Sequence, residues 1–286
     1  MAENQTTTLT NGTKKVRISR DRATVIIGER INPTGRKKVL RALEAGEFES
    51  VREDAVKQVA AGAKVLDINA GVPGADEVEL LSRVMQEVME VVDVPLCIDT
   101  ANPKALEAAL KIYDGKALVN SVNGEEASLK TVLPLVKEYG AAVIGLCMND
   151  NGIPATPEER VAVAETVINE AAKFGIPIND IVIDPLAMTM GADSNAGLIT
   201  LETIRLIVKE FGVNLTMGAS NVSFGMPDRK YINATFLAMA IQAGMTCPIA
   251  NPLELELVTS TLASDLSLGR DEFGMGWIKA YRKRNK

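Results

Sequence analysis

The chain has 286 residues, of which 47% are apolar and 24% are charged, a composition typical of a folded enzyme. Its net charge of −6 argues against a general nucleic-acid binder. The sequence contains no histidine, which excludes Ser–His and Cys–His catalysis and histidine metal ligands. No apolar run reaches the roughly 18 residues of a membrane span. No signal peptide is recognisable either, so we expect a cytoplasmic protein without a membrane partner.

The chain divides into a short polar segment and one long domain. Residues 1–22 are rich in Thr and Asn and then basic, and they lack periodicity, so we expect a disordered, mobile tail before a domain of residues 23–286. Short β-branched runs then alternate with amphipathic helical segments, the first of which (37–62) should hold two helices. The predicted strands are 24–29, 65–69, 95–100, 117–122, 141–148, 181–186, 214–220 and 246–251.

This alternation predicts the fold class. Eight near-continuous apolar strands, each followed by a helix, in about 250 residues indicate a single α/β domain, a (β/α)8 TIM barrel. A doubly wound sheet is the alternative, but no G-x-G-x-x-G motif follows the first strand. In such barrels the active site forms at the C-terminal ends of the strands.

Nearly every predicted strand ends in Asp or Asn. Some of these residues cap a helix or hold a turn, but so many at one barrel mouth favour a polar ligand site. Carboxylate and amide oxygens accept paired hydrogen bonds, so they suit a flat heterocycle with adjacent N–H donors, such as a guanine-like or pterin-like ring. A divalent cation is the other way to satisfy clustered carboxylates. The strand-end residues are Glu29, Asn32, Asp67, Asn69, Asp99, Asn120, Asn149, Asp184, Asn221 and Asn251.

Seven motifs occur in the order found in pterin-binding methyltransferases. The chain resembles the methyltetrahydrofolate:corrinoid protein methyltransferases and the folate module of cobalamin-dependent methionine synthase over about residues 24–282. The resemblance implies a TIM barrel of the pterin-binding type. The motifs are GERINPTG (28–35), LDINAG (66–71), CIDTAN (97–102), VNSVNGE (119–125), GLCMNDNGIP (145–154), IDPL (183–186) and GASNVSFGMPDR (218–229).

The resemblance also implies the roles of individual residues. Asp99, Asn120 and Asp184 would hold the hydrogen-bonding edge of the pterin, and Asn221 would be the catalytic residue near N5, which carries the methyl group. Arg229 matches a family arginine near the p-aminobenzoyl-glutamate portion. Phe224, also expected to contact the folate, stands where some relatives have a polar residue. A second tier of expected pocket residues comprises Glu29, Asn32, Asp67, Asn69, Met148 and Ser220.

The implied activity needs two substrates. A methyl group would move between N5 of (methyl)tetrahydrofolate and the cobalt of a corrinoid (cobalamin), and the sequence does not choose the direction. The chain has no Asp-x-His-x-x-Gly corrinoid motif, so the corrinoid is expected on a separate protein that docks over the barrel mouth. Family members are commonly homodimers, which we expect here as well. No tightly bound metal is expected.

Three other functions remain open at this stage. Dihydropteroate synthase shares the barrel and the pterin-binding carboxylates, although its late Ser-x-Arg-x-His anion clamp needs a histidine that this chain lacks. A metal-dependent lyase or aldolase would use the clustered Asp and Glu side chains as metal ligands. A folate-binding barrel without activity would bind the pterin and exchange no methyl group. The Gly-rich stretch 190–197 is expected to be a mobile loop, either a lid or a plain surface loop.

Overall fold

A closed barrel of eight parallel strands forms the centre of the computed structural model, which describes residues 2–284. The first residue of the predicted tail and the last two residues of the predicted domain therefore lie outside the described part. Neighbouring strands pair in chain order, and a parallel bridge between Gly218 and Ile249 closes the ring. The strands are β1 (Thr7–Asn11), β2 (Lys14–Ile18), β3 (Ile27–Ile31), β4 (Val65–Asn69), β5 (Leu96–Asp99), β6 (Leu118–Asn123), β7 (Ala142–Leu146), β8 (Ile181–Asp184), β9 (Asn214–Leu215) and β10 (Ile249–Ala250), of which β3 to β10 form the barrel.

Helices cover the outside of the barrel, and the predicted (β/α)8 fold is confirmed. The segment 37–62 holds two helices, as expected. No helix within residues 2–284 is long and apolar enough to cross a membrane. The helices are α1 (Lys37–Glu44), α2 (Glu49–Ala61), α3 (Glu77–Met89), α4 (Pro103–Ile112), α5 (Glu126–Glu138), α6 (Pro157–Lys173), α7 (Ala196–Glu210), α8 (Arg229–Ala243), α9 (Leu255–Ser267) and α10 (Met275–Arg284).

The barrel interior is filled by one apolar layer with a polar layer above it. Successive residues of a strand point to opposite faces, so every second residue points into the barrel. Five of the interior apolar residues of the barrel strands are followed two positions later by a polar residue, for example Val182 by Asp184 and Cys97 by Asp99. The same spacing relates three further pairs: Ile27 and Glu29, Val65 and Asp67, and Leu118 and Asn120.

The predicted mobile tail is wrong for the described residues. The strands β1 and β2 form an antiparallel hairpin that closes the end of the barrel opposite the mouth. Leu9 and Ile18 are fully buried and pack with the interior apolar layer. The Asn214 side chain donates to Thr7 Oγ1 at 3.0 Å and to the Ile18 carbonyl at 2.9 Å. Burial of two large side chains and these hydrogen bonds hold the hairpin in place.

The sequence carried a signal for this hairpin. Gly12 and Thr13 form a two-residue turn between the paired residues Asn11 and Lys14, and Gly12 adopts a left-handed φ of 39°. A glycine at the first position of a two-residue loop between two extended segments is a hairpin signal. The alternation itself is weak here because threonines occupy most positions of β1 and charged residues occupy most positions of β2.

Candidate active site

Asp99 and Asn69 lie side by side at the barrel mouth. The pairing of β4 with β5 places the two residues in register. Asn69 Nδ2 donates to Asp99 Oδ2 at 3.1 Å, and Asn69 Oδ1 accepts the Gly71 backbone N–H at 2.9 Å. The second carboxylate oxygen of Asp99 has no hydrogen-bond partner among residues 2–284. Burial raises the pKa of Asp99, so an incoming N–H donor would stabilise its carboxylate form.

Asn120, on the next strand, is held in the same way. Its Nδ2 donates to Asp67 Oδ1 at 3.2 Å, which leaves Asn120 Oδ1 as an acceptor without a partner in the described chain. Asp67 is only 3% exposed and lies one layer below the mouth, beside the Cys97 thiol. Burial raises the pKa of Asp67, and the nearby Asp99 carboxylate adds to this rise. Asp67 therefore supports Asn120 from below and is largely covered by it and its neighbours.

Asp184 ends β8 and supplies a third acceptor. The Leu186 backbone N–H donates to Asp184 Oδ1 at 2.7 Å, and the other carboxylate oxygen has no partner in the described residues. Burial raises the pKa of Asp184 to about 7. Asp99, Asn120 and Asp184 thus each use one polar atom to fix the side chain and keep one oxygen available to a ligand.

A cavity of about 400 Å³ opens between β5, β6 and the helices that follow them. Asp99 and Asn120 are among its lining residues, whereas Asp184 and Asn221 are not, and Leu146 of β7 contributes an apolar wall. A larger cavity of about 660 Å³ lies beside α1 and α3, and its lining contains none of the residues predicted for the site. The smaller cavity is therefore the one associated with the polar layer.

The loop after β9 brings Asn221 to the mouth. Asn221 begins a short 3-10 helix (Asn221–Ser223), and its backbone N–H donates to the Gly218 carbonyl at 3.1 Å. Its side-chain amide lies over Gly218: a Cβ atom at position 218 would be 2.8 Å from Asn221 Nδ2. Gly218 therefore makes room for the amide, and Asn221 is exposed above it.

Arg229 and Phe224 belong to the same loop. Arg229 Nη2 donates to the Ser220 carbonyl at 2.6 Å and Nε donates to Ser223 Oγ at 3.0 Å, so the guanidinium braces the segment that carries Asn221. The Phe224 ring is 69% exposed and lies 5.8 Å from the Arg229 guanidinium carbon. Contact of Arg229 or Phe224 with a ligand tail stays a prediction.

Comparison with known proteins identifies the family. The sequence profile of the pterin binding enzymes matches residues 28–251. This chain belongs to the pterin-binding enzyme family. It is 32% identical to the methylcorrinoid:tetrahydrofolate methyltransferase of Eubacterium limosum, over 91% of this chain and 96% of that protein. It is 30% identical to the methionine synthase of Mycobacterium tuberculosis, over 82% of this chain but 21% of that longer protein.

Solved structures of other pterin-binding enzymes share the fold. Dihydropteroate synthase from Thermus thermophilus, in complex with 4-aminobenzoate, superimposes with a TM-score of 0.68 at 22% identity, covering 91% of this chain and 99% of that one. The enzyme from Stenotrophomonas maltophilia gives a TM-score of 0.69 at 18% identity, covering 92% and 98%. At this identity the likeness concerns the barrel alone. The predicted resemblance to the methyltransferase branch is confirmed by the two relatives named above.

The remaining predicted pocket residues of this pterin-binding enzyme have distinct positions. Glu29 lies in the middle of β3 beside Ser220 and Glu254, and burial together with the Glu254 charge raises its pKa to about 7. Asn32 Oδ1 accepts the Thr34 backbone N–H at 2.8 Å and so holds a turn. Met148, in the loop after β7, accepts the Gly124 backbone N–H through its carbonyl at 2.8 Å. Glu29 and Ser220 thus join the polar layer, whereas Asn32 and Met148 shape neighbouring loops.

The loop between β8 and α7 touches the loop that carries Asn221. Thr189 Oγ1 donates to the Phe224 carbonyl at 2.7 Å, and the Met190 backbone N–H donates to the Val222 carbonyl at 2.9 Å. A lid function for the stretch 190–197 stays a prediction. Within residues 2–284, no group of three or more Cys, Asp or Glu side chains is arranged to hold a metal ion.

Sequence reasoning missed one residue of this pterin-binding enzyme, Arg160. A lone arginine in the acidic start of α6 is typical of an exposed helix face. A signal was nevertheless present, because Arg160 precedes Val163 by three residues and Ala164 by four, the spacing of the buried stripe of α6. Its side chain is 4% exposed and reaches the loop behind Asp184.

Proposed function

We propose that this pterin-binding enzyme is a methyltransferase that moves a methyl group between N5 of tetrahydrofolate and the cobalt of a corrinoid carried by another protein. One observation supports the proposal most strongly. Asp99, Asn120 and Asp184 each have one side-chain oxygen without a hydrogen-bond partner among residues 2–284, and they lie on the same barrel as the exposed amide of Asn221. The name of the relative from Eubacterium limosum supports the same activity.

The acceptors suit a pterin because of what a pterin presents. One edge of its pyrimidinone ring carries an exocyclic amine beside a ring N–H, so several donors point in one direction. Two carboxylates and one amide oxygen can accept all of them, and a hydrogen bond from a neutral donor to a charged acceptor is stronger than one between neutral groups. Asn69 donates to Asp99, Asn120 donates to Asp67, and the Leu186 N–H donates to Asp184, and these bonds keep the three acceptors oriented before the ligand arrives.

Asn221 suits the reacting end of the folate. Methyl transfer from N5 breaks the N5–carbon bond and leaves the electron pair on nitrogen, which then takes a proton. When bound, the corrinoid supplies a strong cobalt nucleophile in this direction and a methyl donor in the other. An amide N–H aimed at N5 stabilises the departing electron pair, and this interaction strengthens in the transition state. The Gly218–Asn221 contact and the Arg229 brace hold the amide in position.

The partner and the assembly are further parts of the proposal. A corrinoid protein would dock over the mouth, where Phe224 and Met226 are exposed beside Asn221. An apolar cavity of about 450 Å³ between α7 and α8, with exposed Leu198 and Tyr231, supports a homodimer.

A condensation like that of dihydropteroate synthase is disfavoured because the chain has no histidine for the anion clamp. The cytoplasmic location stays a prediction.

The test combines binding with turnover. Isothermal titration calorimetry should detect micromolar binding of methyltetrahydrofolate to the purified protein. Incubation with methyltetrahydrofolate and free cob(I)alamin should then form methylcobalamin, followed by absorbance. Asn221→Ala should keep the pterin bound and slow methyl transfer by about two orders of magnitude. Asn179→Ala is the control, since that exposed asparagine precedes β8 at the end of the barrel opposite the mouth.

Three outcomes would contradict the proposal. If no folate binds at any concentration, the pterin assignment fails. If folate binds and the Asn221→Ala rate equals the wild-type rate, Asn221 has no part in the chemistry. Binding with no methyl exchange with any corrinoid protein would indicate a folate carrier.

A further inference from the structure

Arg160 connects two loops at the barrel mouth from inside the protein. Its Nε donates to the Pro154 carbonyl at 2.9 Å, in the loop after β7. Its Nη1 donates to the carbonyls of Pro185 at 2.9 Å and Leu186 at 2.8 Å, in the turn after β8. The residue is 4% exposed, so these bonds are shielded from water. A guanidinium is well suited to this task because its donors lie in a rigid plane and point in several directions.

The turn that Arg160 holds is a strained one. Leu186 has a φ of 62°, in the left-handed region that a leucine rarely adopts. Such a conformation persists only where the surroundings hold it. Here the Leu186 carbonyl is held by Arg160, and the Leu186 N–H donates to Asp184 Oδ1 at 2.7 Å. The orientation of the Asp184 carboxylate therefore depends on this turn.

We propose that Arg160 is a positioning residue for pterin binding, which fixes the turn at Pro185 and Leu186 and thereby directs the unpaired oxygen of Asp184 into the mouth. The inference rests on the proposed function, in which Asp184 accepts a hydrogen bond from the pterin. Arg160 itself does not reach the ligand. It contributes through the geometry of Asp184 and through its charge.

The charge of Arg160 has its own consequence. The charged or titratable groups that face Asp184 are the Arg160 guanidinium of α6, the Cys147 thiol after β7 and the Cys247 thiol before β10. Burial raises the pKa of Cys247 to about 12 and also that of Cys147, so both thiols stay neutral. Arg160 is thus the cation that favours the carboxylate form of Asp184 within the described part of the chain. Without it the carboxyl would lose its proton only at higher pH.

The experiment measures the Kd of methyltetrahydrofolate by calorimetry from pH 6 to pH 9. Wild-type affinity should fall below pH 7, where Asp184 takes up a proton. Arg160→Gln should weaken binding about tenfold or more and move the midpoint of the pH profile upward, since both the brace and the charge are lost. Arg160→Lys should restore the midpoint but not the full affinity, because a lysine keeps the charge and cannot bridge both loops.

The control is Arg52→Gln. Arg52 pairs with the buried Glu87 between α2 and α3, so its loss costs stability without touching the Asp184 turn. Equal weakening of pterin binding by Arg52→Gln would overturn the inference. So would an unchanged Kd and midpoint in Arg160→Gln while the wild type binds. If Arg160→Gln fails to fold, Arg160→Lys decides, and full wild-type affinity in that variant overturns the bridging role. Absence of binding by the wild type would instead overturn the proposed function, and the inference with it.

Discussion

Asn69 donates a hydrogen bond to Asp99 at 3.1 Å while it accepts the Gly71 backbone N–H at 2.9 Å. Because both ends of the amide are engaged, its orientation is fixed, and so is that of the Asp99 carboxylate. Asn120 and Asp184 are held by comparable bonds. A ligand therefore meets acceptors that are already in place, and binding loses less free energy to the ordering of side chains.

Asp184→Asn should weaken methyltetrahydrofolate binding by about 10- to 100-fold. The amide has the same shape, but its oxygen is uncharged, and hydrogen bonds to charged groups are worth roughly 1.5–3 kcal/mol. Asp180→Asn is the matched control: Asp180 precedes the same strand at the opposite end, is 7% exposed, and pairs with Lys116. Calorimetry should show unchanged pterin affinity for Asp180→Asn. Equal losses in both variants would indicate a general effect of stability rather than a binding site.

Gly218→Ala should slow methyl transfer with little effect on pterin affinity. The new Cβ would lie 2.8 Å from Asn221 Nδ2, so the amide must move. A displacement of about 1 Å in a positioned group can lower a rate about 100-fold. Gly276→Ala is a suitable control, because its Cβ would lie 3.1 Å from Asp271 Oδ2 in the distant α10 region. Single-turnover methyl transfer should be slower in Gly218→Ala than in Gly276→Ala. Equal rates in the two variants would show that the Gly218–Asn221 contact has no part in the mechanism.

The stability difference between Asp184→Asn and the wild type should depend on pH. Burial raises the pKa of Asp184 to about 7 in the folded protein, whereas an unfolded aspartate titrates near about 3.9. The folded state then binds the proton more tightly, so ionisation of Asp184 destabilises the wild type as pH rises from about 4 to about 7. Asparagine does not ionise, and the variant should therefore gain stability relative to the wild type between pH 5 and pH 8. Urea unfolding of both proteins at pH 5 and pH 8 gives their free energies of unfolding. A difference between the two proteins that is the same at both pH values would contradict this prediction.

Leu9→Ala should destabilise the protein by about 2–5 kcal/mol, the usual cost of removing a fully buried leucine side chain. Leu9 is 0% exposed in the hairpin that closes the barrel. Thr8→Ala, at the neighbouring position on the opposite face of β1, should have a small effect. Chemical denaturation gives both values. A negligible effect of Leu9→Ala on the free energy of unfolding would contradict the packed hairpin and favour the mobile tail that was predicted from the sequence. Pterin affinity should be the same in both variants, because the hairpin lies at the end opposite the mouth.

Much of the site was predictable because the barrel repeats a local pattern. Strand period and strand-end chemistry place Asp99, Asn120 and Asp184 at one mouth, whichever helices lie between them. The β1–β2 hairpin was not predicted, since its alternating residues are mostly Thr and charged and its burial depends on the barrel floor. The role of Arg160 was not predicted because two of the three carbonyls that accept from its guanidinium lie 25 and 26 residues away in the chain.

Local periodicity and ordered motifs were enough to predict the barrel, the polar layer at its mouth and the family from the amino-acid sequence alone. Only the tertiary structure shows which atoms of that layer form hydrogen bonds within the protein and which remain available to a ligand. Asn120 meets Asp67 across a separation of 53 residues, and Asn214 meets Thr7 across 207. Hydrogen bonds are directional and short, so their partners are fixed only when the closed barrel brings distant strands into register.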